Sequence, residues 1–430
     1  MNPIDTKPLI TFYGDDTTGT VAVMDILVSY GLKAVVFLDA PTSEQLDHFK
    51  EYHAIGQASL ARAKDNAWMD KHLTCDFKKL KELHAPIFHY KTCSTLGSSP
   101  NIGSIGRAIE IGADIFGGNS FIFVAGAPAI KRYQLFGNLF AVNDQFVYRL
   151  DRHPVMKNHP VTPMHESDVG MHLGKQTDIP IRNVNILDLF NTENVVQETP
   201  GIVLLDILDE ASLIKAGEII NNTMDKHIFC AGSQGIEYAL CAYWQSIGKL
   251  QKPVLSDIKP AVSMLGISGS CSNVTKAQIL YAQKNKAFEC LELDLTTLDE
   301  TQRLTEEIEK QVGLALSAIE EKKTPLIYSS LGENEDLSQE QKERIGETLG
   351  EITYQITQKT TVERVVVAGG DTSGYVSERL GIYALSSLNT DPGHGGLCLA
   401  FTSQSKSFEI AFKGGQMGAE SYFEIMKYGN

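Results

Sequence analysis

The sequence predicts an α/β protein of two domains, each a mostly parallel sheet flanked by helices, with the active site in the cleft between them. Three observations lead there. Short apolar, β-branched runs alternate with segments of helical periodicity along most of the chain, the pattern of strand–helix–strand units. Several of these runs end in loops of glycine and small hydroxyls before a helix begins, and open parallel sheets bind ligands at such ends. The polar, proline-flanked stretch 251–260 reads as a linker between a domain of residues 1–250 and a second of residues 261–430.

The first half opens with a strand over residues 8–14 that delivers Gly14, Asp15, Asp16, Thr17, Thr18 and Gly19, followed by a helix through Val21, Met24, Leu27 and Val28 and a second strand from Ala34 to Leu38. Adjacent aspartates repel unless they meet a cation, a hydroxyl or a helix N-terminus. One of them can serve simply as a helix cap, a common role for Asp. A third apolar run lies near Tyr52 to Gln57, with Arg62 shortly after. The run from Pro86 to Tyr90 ends in Lys91, Thr92, Cys93, Ser94 and Thr95, a loop of one amine and several hydroxyls suited to a carboxylate or phosphate. The run from Phe121 to Ala125 is a buried strand. Residues 131–180 lose periodicity and are rich in His, Pro and Asn, which predicts long loops or a β-insert. Strand–helix units resume at Ile202 and His227.

The second half repeats the device. A strand near Met264 leads into Ser268, Gly269, Ser270, Cys271 and Ser272 before a helix. The run Val365, Val366, Val367, Ala368 ends in Gly369, Gly370, Asp371, Thr372, Ser373 and Gly374. Two further clusters follow, one from Pro392 to Gly396 and one comprising Lys413, Gly414, Gly415, Gln416, Met417 and Gly418. Glycines and hydroxyls at strand ends let backbone N–H groups approach an anion closely. Three such clusters point to a nucleotide, although the Walker ending is absent.

Composition bounds the partners. Of 430 residues, 43% are hydrophobic and 21% charged, ordinary values for a globular core. A formal net charge of −15 argues against nucleic acid or anionic membrane. No signal peptide and no membrane-spanning apolar run are apparent. The seven scattered cysteines form no Cys-x-x-Cys pair, which predicts reduced thiols in the cytoplasm and no structural zinc.

Paired carboxylates in one half and glycine–hydroxyl–lysine loops in the other suit phosphoryl transfer, which requires positioning, a divalent cation and exclusion of water. The motifs, in order and spacing, resemble the four-carbon acid sugar kinases, ATP-dependent enzymes of threonate, erythronate and 3-oxo-tetronate-type acids. The resemblance rests on Asp15, Asp16, Thr18 and Gly19, on Lys91, Ser94, Thr95 and Leu96, on Ser268 to Ser272 with Thr275 and Gln278, on Gly369 to Gly374, and on Lys413, Gly415 and Gly418. It covers nearly the whole chain and implies that the first domain binds the acid sugar and the second ATP, with Mg2+. The chain departs from the typical pattern in three places, one being Ala61 before Arg62 where Ser-Arg is typical. Cys93 stands where an Asp is typical, and Leu96 is followed by Gly97, Ser98, Ser99 and Pro100 rather than Arg-Gly-Asn. The cysteine version is closer to a subgroup linked to branched or oxidised acids such as 3-oxo-isoapionate.

The resulting expectations are specific. Asp16 accepts the proton of the acceptor hydroxyl while Asp15 fixes its loop or a substrate hydroxyl, or the two aspartates exchange these roles. Arg62, Lys91, Ser94 and Thr95 hold the anionic sugar acid. Ser268, Ser270, Ser272, Gly369, Gly370, Asp371, Thr372, Ser373, Lys413, Gly414 and Gly415 surround the nucleotide. Metal ligands are not assigned, and a homodimer is left open. A non-catalytic protein binding sugar acid and nucleotide on the same fold, and a nicotinamide-dependent dehydrogenase, remain as alternatives. Against the dehydrogenase, neither glycine loop carries the dinucleotide fingerprint with a ribose-binding acid.

Overall fold

The computed structural model describes residues 7–143, 145–158, 163–191, 200–224, 227–251, 257–332, 337–388, 396–404 and 407–429. The chain divides into two compact units, Met1–Pro253 and Val254–Asn430. Linker residues 252–256 and the cluster from Pro392 to Gly395 lie outside the described residues.

The first unit is built on strands β1 (Ile10–Gly14), β2 (Ala34–Phe37), β3 (Ala54–Ala58), β4 (Ile87–Lys91), β5 (Ser120–Val124), β6 (Arg132–Leu135), β7 (Asn138–Asn143), β8 (Phe146–Arg149), β9 (Ile181–Val184), β10 (Gly201–Leu205) and β11 (Ile228–Gly232). Its parallel strands lie in the order β2-β3-β1-β4-β11-β5-β10-β9. Strands β1, β3, β4, β10 and β11 are buried along their whole length. Burial on both faces explains why they read as unbroken apolar runs rather than alternating ones. Helices α1 (Thr17–Ser29), α2 (Ser43–Asp47), α3 (Asn66–Lys81), α4 (Ile105–Phe116), α5 (Val169–Leu173), α6 (Glu210–Asn221) and α7 (Gly235–Ser246) connect them. Helix α3 shows how the sequence sets the packing. Met69, Leu73, Phe77 and Leu80 share one buried face, while Lys78, Lys79 and Lys81 fill the last turn, where cations suit the helix dipole. The aperiodic region contains a three-stranded antiparallel sheet, β6-β7-β8, and the short helix α5.

The second unit comprises β12 (Met264–Ser268), β13 (Phe288–Glu292), β14 (Thr324–Tyr328), β15 (Arg364–Ala368), β16 (Ile382–Ser387), β17 (Leu397–Thr402) and β18 (Ser407–Lys413). They lie in the order β13-β14-β12-β15-β18-β17-β16. The first five are mutually parallel, whereas β17 runs antiparallel to both β18 and β16. The helices are α8 (Asn273–Gln283), α9 (Thr301–Glu320), α10 (Gln339–Lys359), α11 (Gly370–Arg379) and α12 (Tyr422–Tyr428). Its core joins Met264, Ile279, Phe288, Leu326, Val366, Ala411, Phe423 and Met426. Arg364 is fully buried at the start of β15. It pairs with Glu409 of β18 and donates to the backbone carbonyls of Met426 and Lys259, tying both ends of the unit together.

Candidate functional site

In the first unit the ends of adjacent parallel strands line up. Gly14 of β1 is in register with Ala58 of β3 and Lys91 of β4, Lys91 with Gly232 of β11, and Gly232 with Val124 of β5. The loops leaving these strands therefore emerge side by side at one edge. Asp15 follows β1 and is almost wholly buried. Arg62 reaches it from the turn after β3 in a two-bond fork, Nε to Oδ2 at 3.1 Å and Nη2 to Oδ1 at 2.7 Å. The same Nη2 donates to Asp16 Oδ1 at 2.8 Å. Burial raises the Asp15 carboxyl pKa, and the Arg62 charge opposes that rise; in turn the aspartates raise the pKa of Arg62 against its own burial.

Asp16 is the N-cap of α1, its Oδ1 accepting from Gly19 N at 3.0 Å. The second oxygen, Oδ2, has no hydrogen bond among the described residues, and the side chain is 28% exposed. The structural and catalytic readings of Asp16 are thus compatible, one oxygen for each. Gly19 is required here by close approach. A Cβ on it would lie 2.4 Å from Asp16 Oδ1 and 3.0 Å from Lys91 Nζ. Lys91 is buried at the end of β4, its Nζ donating to the Thr92 carbonyl at 2.7 Å, and its charge helps hold Asp15 ionised.

The loop after Lys91 is fixed from several sides. Thr92 N donates to the Gly232 carbonyl at 2.7 Å. Cys93 Sγ and Thr95 Oγ1 are 3.1 Å apart, while Ser94 is half-buried with no side-chain hydrogen bond among the described residues. Leu96 has φ 52°, a left-handed conformation rare outside glycine. His172 of α5 braces it, with Nε2 3.1 Å from the Leu96 carbonyl and 2.9 Å from Ser98 Oγ. This gives a supporting role to one histidine of the aperiodic region, whose imidazole pKa burial pushes down.

Two features escaped the sequence reading. His89 and Glu237 form a fully buried pair, Nδ1 to Oε1 at 2.6 Å, with His89 Nε2 3.2 Å from the same Gly232 carbonyl that receives Thr92. The partners are 148 residues apart, so no local signal marks them. Arg132, at the start of β6, is partly buried and has no acidic partner among the described residues. Its Nη1 reaches only the carbonyls of Ile130 at 3.3 Å and Lys131 at 3.2 Å, and Nε is buried without a partner.

In the second unit β12, β15 and β18 are neighbours, and Ser268, Ala368 and Lys413 sit opposite one another in register. The three motifs singled out in the sequence thus leave the sheet together. Gly369 turns β15 into α11 with φ 122°, and no side chain caps this helix. Its first N–H groups are thereby left for an anion. Gly370 and Asp371 are exposed, and a Cβ on Gly370 would meet open space. Thr372 is buried, and Ser373 Oγ donates to the Gly369 carbonyl at 2.7 Å.

Several expected nucleotide residues hold the loops to one another. Ser270 N lies 3.4 Å from Ser268 Oγ, and Ser272 N 3.3 Å from Ser270 Oγ. Ser272 is the N-cap of α8 and also donates to the Gly415 carbonyl. Lys413 Nζ donates to Thr275 Oγ1 at 2.9 Å, Gly414 O at 3.1 Å and Gly415 O at 3.4 Å. Buried with three neutral acceptors, its ammonium is pushed down to a pKa of about 8.

The chain matches the family description "Sugar-binding N-terminal domain" over residues 10–240 and "Nucleotide-binding C-terminal domain" over residues 265–423. It is 37% identical to a 3-oxo-isoapionate kinase from Paraburkholderia graminis, across 98% of this chain and 94% of that one. It belongs to the four-carbon acid sugar kinase family. Family members named 3-oxo-tetronate kinase, from Pectobacterium atrosepticum and Pseudomonas savastanoi, are 24% and 26% identical across 95% or more of each chain. The crystal structure of a Salmonella typhimurium LT2 protein superposes with a TM-score of 0.81 at 22% identity, over 97% of this chain and 98% of the other. At that identity the likeness supports the family's fold alone.

Proposed function

We propose that the protein is an ATP-dependent kinase of a small sugar acid of the 3-oxo, branched or four-carbon kind, acting on one of its hydroxyls. What carries the reading is the full-length likeness to a 3-oxo-isoapionate kinase. The geometry gives it a mechanism. Asp16 Oδ2 takes the proton of the acceptor hydroxyl as that oxygen attacks the γ-phosphorus, the bond from γ-phosphorus to the β,γ-bridging oxygen breaks, and ADP leaves with the electron pair. A carboxylate helps mainly as charge develops in the transition state. Asp15 and Arg62 hold Asp16 in place, while Lys91, Ser94 and Thr95 orient the acid. The uncapped N-terminus of α11, with the Ser268–Ser270–Ser272 and Lys413–Gly415 loops, receives the phosphates of ATP.

Among the described residues no group of three or more His, Cys, Asp or Glu could hold a metal ion. On this reading Mg2+ would arrive with ATP and would neutralise phosphate charge, held mainly by the nucleotide rather than by protein ligands. No described helix is long and apolar enough to cross a membrane, in keeping with a cytoplasmic kinase. The test is a coupled ADP-release screen over four- and five-carbon sugar acids, with product mass. A product heavier by one phosphoryl group supports the reading. An acid-dependent change in nicotinamide absorbance without ADP release would replace it with a dehydrogenase.

A further inference from the structure

Arg62 spends its Nε and Nη2 on Asp15 and Asp16, which leaves a two-donor fork for the substrate's carboxylate to another guanidinium beside Lys91. We infer that Arg132 is the residue that reads the carboxylate of the sugar acid, and so discriminates acids from neutral sugars. The inference rests on the kinase reading and adds a specificity residue to it.

The placement follows from the fold. Strand β5 ends at Val124, in register with Gly232 at the edge where the Asp15 and Lys91 loops emerge. Three residues on, Ala127 pairs with Arg132 in a short antiparallel bridge, Ala127 N to Arg132 O at 2.9 Å and Arg132 N to Ala127 O at 3.2 Å. That bridge returns the chain to the carboxyl edge and pins the Arg132 backbone there. The β6–β7 pairing secures it from the other side, with Arg132 opposite Ala141.

The chemistry is that of an unfilled anion site. A guanidinium has five N–H donors in a fixed fork matched to a carboxylate. In Arg132 only Nη1 is engaged, by two carbonyls, and no acidic side chain neutralises the charge among the described residues. Cys93 lies within electrostatic reach of both Arg62 and Arg132, so the thiol loop is near each guanidinium. His153, the other titratable group that feels Arg132, supplies no negative charge. Burial lowers the pKa of Arg132, as expected for a cation removed from water without a counter-ion. A partly desolvated cation with no counter-ion is costly for folding alone. On a chain of net charge −15 it is explained when the ligand brings the anion.

The experiment compares wild type, Arg132→Gln and Arg132→Lys in the ADP-release assay. The probes are the best sugar acid of the panel and its methyl ester, with ATP varied separately. Removing a charge-assisted fork should raise KM for the acid by about tenfold or more. KM for ATP and turnover of the ester should stay within about twofold, and the melting midpoint should not fall. Arg132→Lys, which keeps the charge but not the fork, should show an intermediate KM and serves in place of Arg132→Gln if the latter does not fold. An unchanged KM for the acid in a folded variant, or an equal loss for acid and ester, overturns the assignment while leaving the kinase reading intact. Failure of wild type to phosphorylate any acid overturns the kinase reading and the role of Arg132 with it.

Discussion

At the residue scale the account turns on two neighbouring aspartates whose surroundings separate them. Asp15 is buried with both oxygens on Arg62, and Asp16 keeps one oxygen unengaged. Asp16→Asn retains the helix cap, because Asn caps about as well as Asp. Its melting midpoint should therefore stay near that of wild type while kcat falls by roughly 10²–10⁴-fold, the usual range for a general base. Asp15→Asn should instead destabilise the protein measurably, since it leaves the Arg62 fork half-paired. Thermal melts and steady-state kinetics on both variants separate the roles, and the reverse pattern would exchange them. Lys413 gives a pH signature. Its pKa is lowered to about 8, so above that value the folded protein has released a proton that the unfolded chain keeps up to its ordinary lysine value. The unliganded protein should accordingly gain stability as pH rises from about 8 towards 10. Bound phosphate favours the charged form, so ATP affinity should be flat below pH 8 and fall above it, by up to about tenfold per pH unit. Calorimetry across pH 7–9.5 checks this, and Lys413→Met should abolish the dependence.

At the element scale, strands buried on both faces were legible because their apolar runs are continuous, and the loops at their ends because glycine and hydroxyl clusters stand out. The antiparallel strands were not. Ile382–Ser387 and Leu397–Thr402 alternate in burial and resemble any half-exposed segment, and β6–β8 lie in a stretch with no helical period. The anchoring pairs were equally hidden, because Arg364 with Glu409 and His89 with Glu237 join residues 45 and 148 positions apart. From sequence Arg62 is expected to hold the sugar acid; its fork to Asp15 was not legible, since it exists only once β1 and β3 lie side by side. Two variants test these elements. Arg364→Met removes one member of a buried pair and should cost about 3 kcal/mol, the low end for such losses because Glu409 retains some water. The melting midpoint of the second unit should fall by roughly 5–10 °C. Gly370→Val acts in the opposite manner. A Cβ there meets no protein atom, so folding should be little affected. ATP affinity should drop at least about tenfold through blocked approach to the α11 N-terminus. Undiminished affinity in a folded Gly370→Val protein would place the phosphates elsewhere.

At the scale of the whole molecule, each unit presents one kind of chemistry at the carboxyl ends of its parallel strands. The first gathers carboxylates and cations, the second an uncapped helix and small-residue loops, in keeping with the family's sugar-binding and nucleotide-binding domains. Lesions should therefore be confined to one ligand, Asp16→Asn sparing ATP binding and Gly370→Val sparing acid binding. The measurement that tests the central claim most directly is ADP release coupled to product mass, run on wild type and Asp16→Asn with a panel of 3-oxo, branched and four-carbon sugar acids. The account predicts that wild type adds one phosphoryl group to an acid of this panel and that Asp16→Asn binds ATP normally yet turns over at least about a hundredfold more slowly. Acid-independent ADP release by wild type, or near-normal turnover by Asp16→Asn, would contradict it.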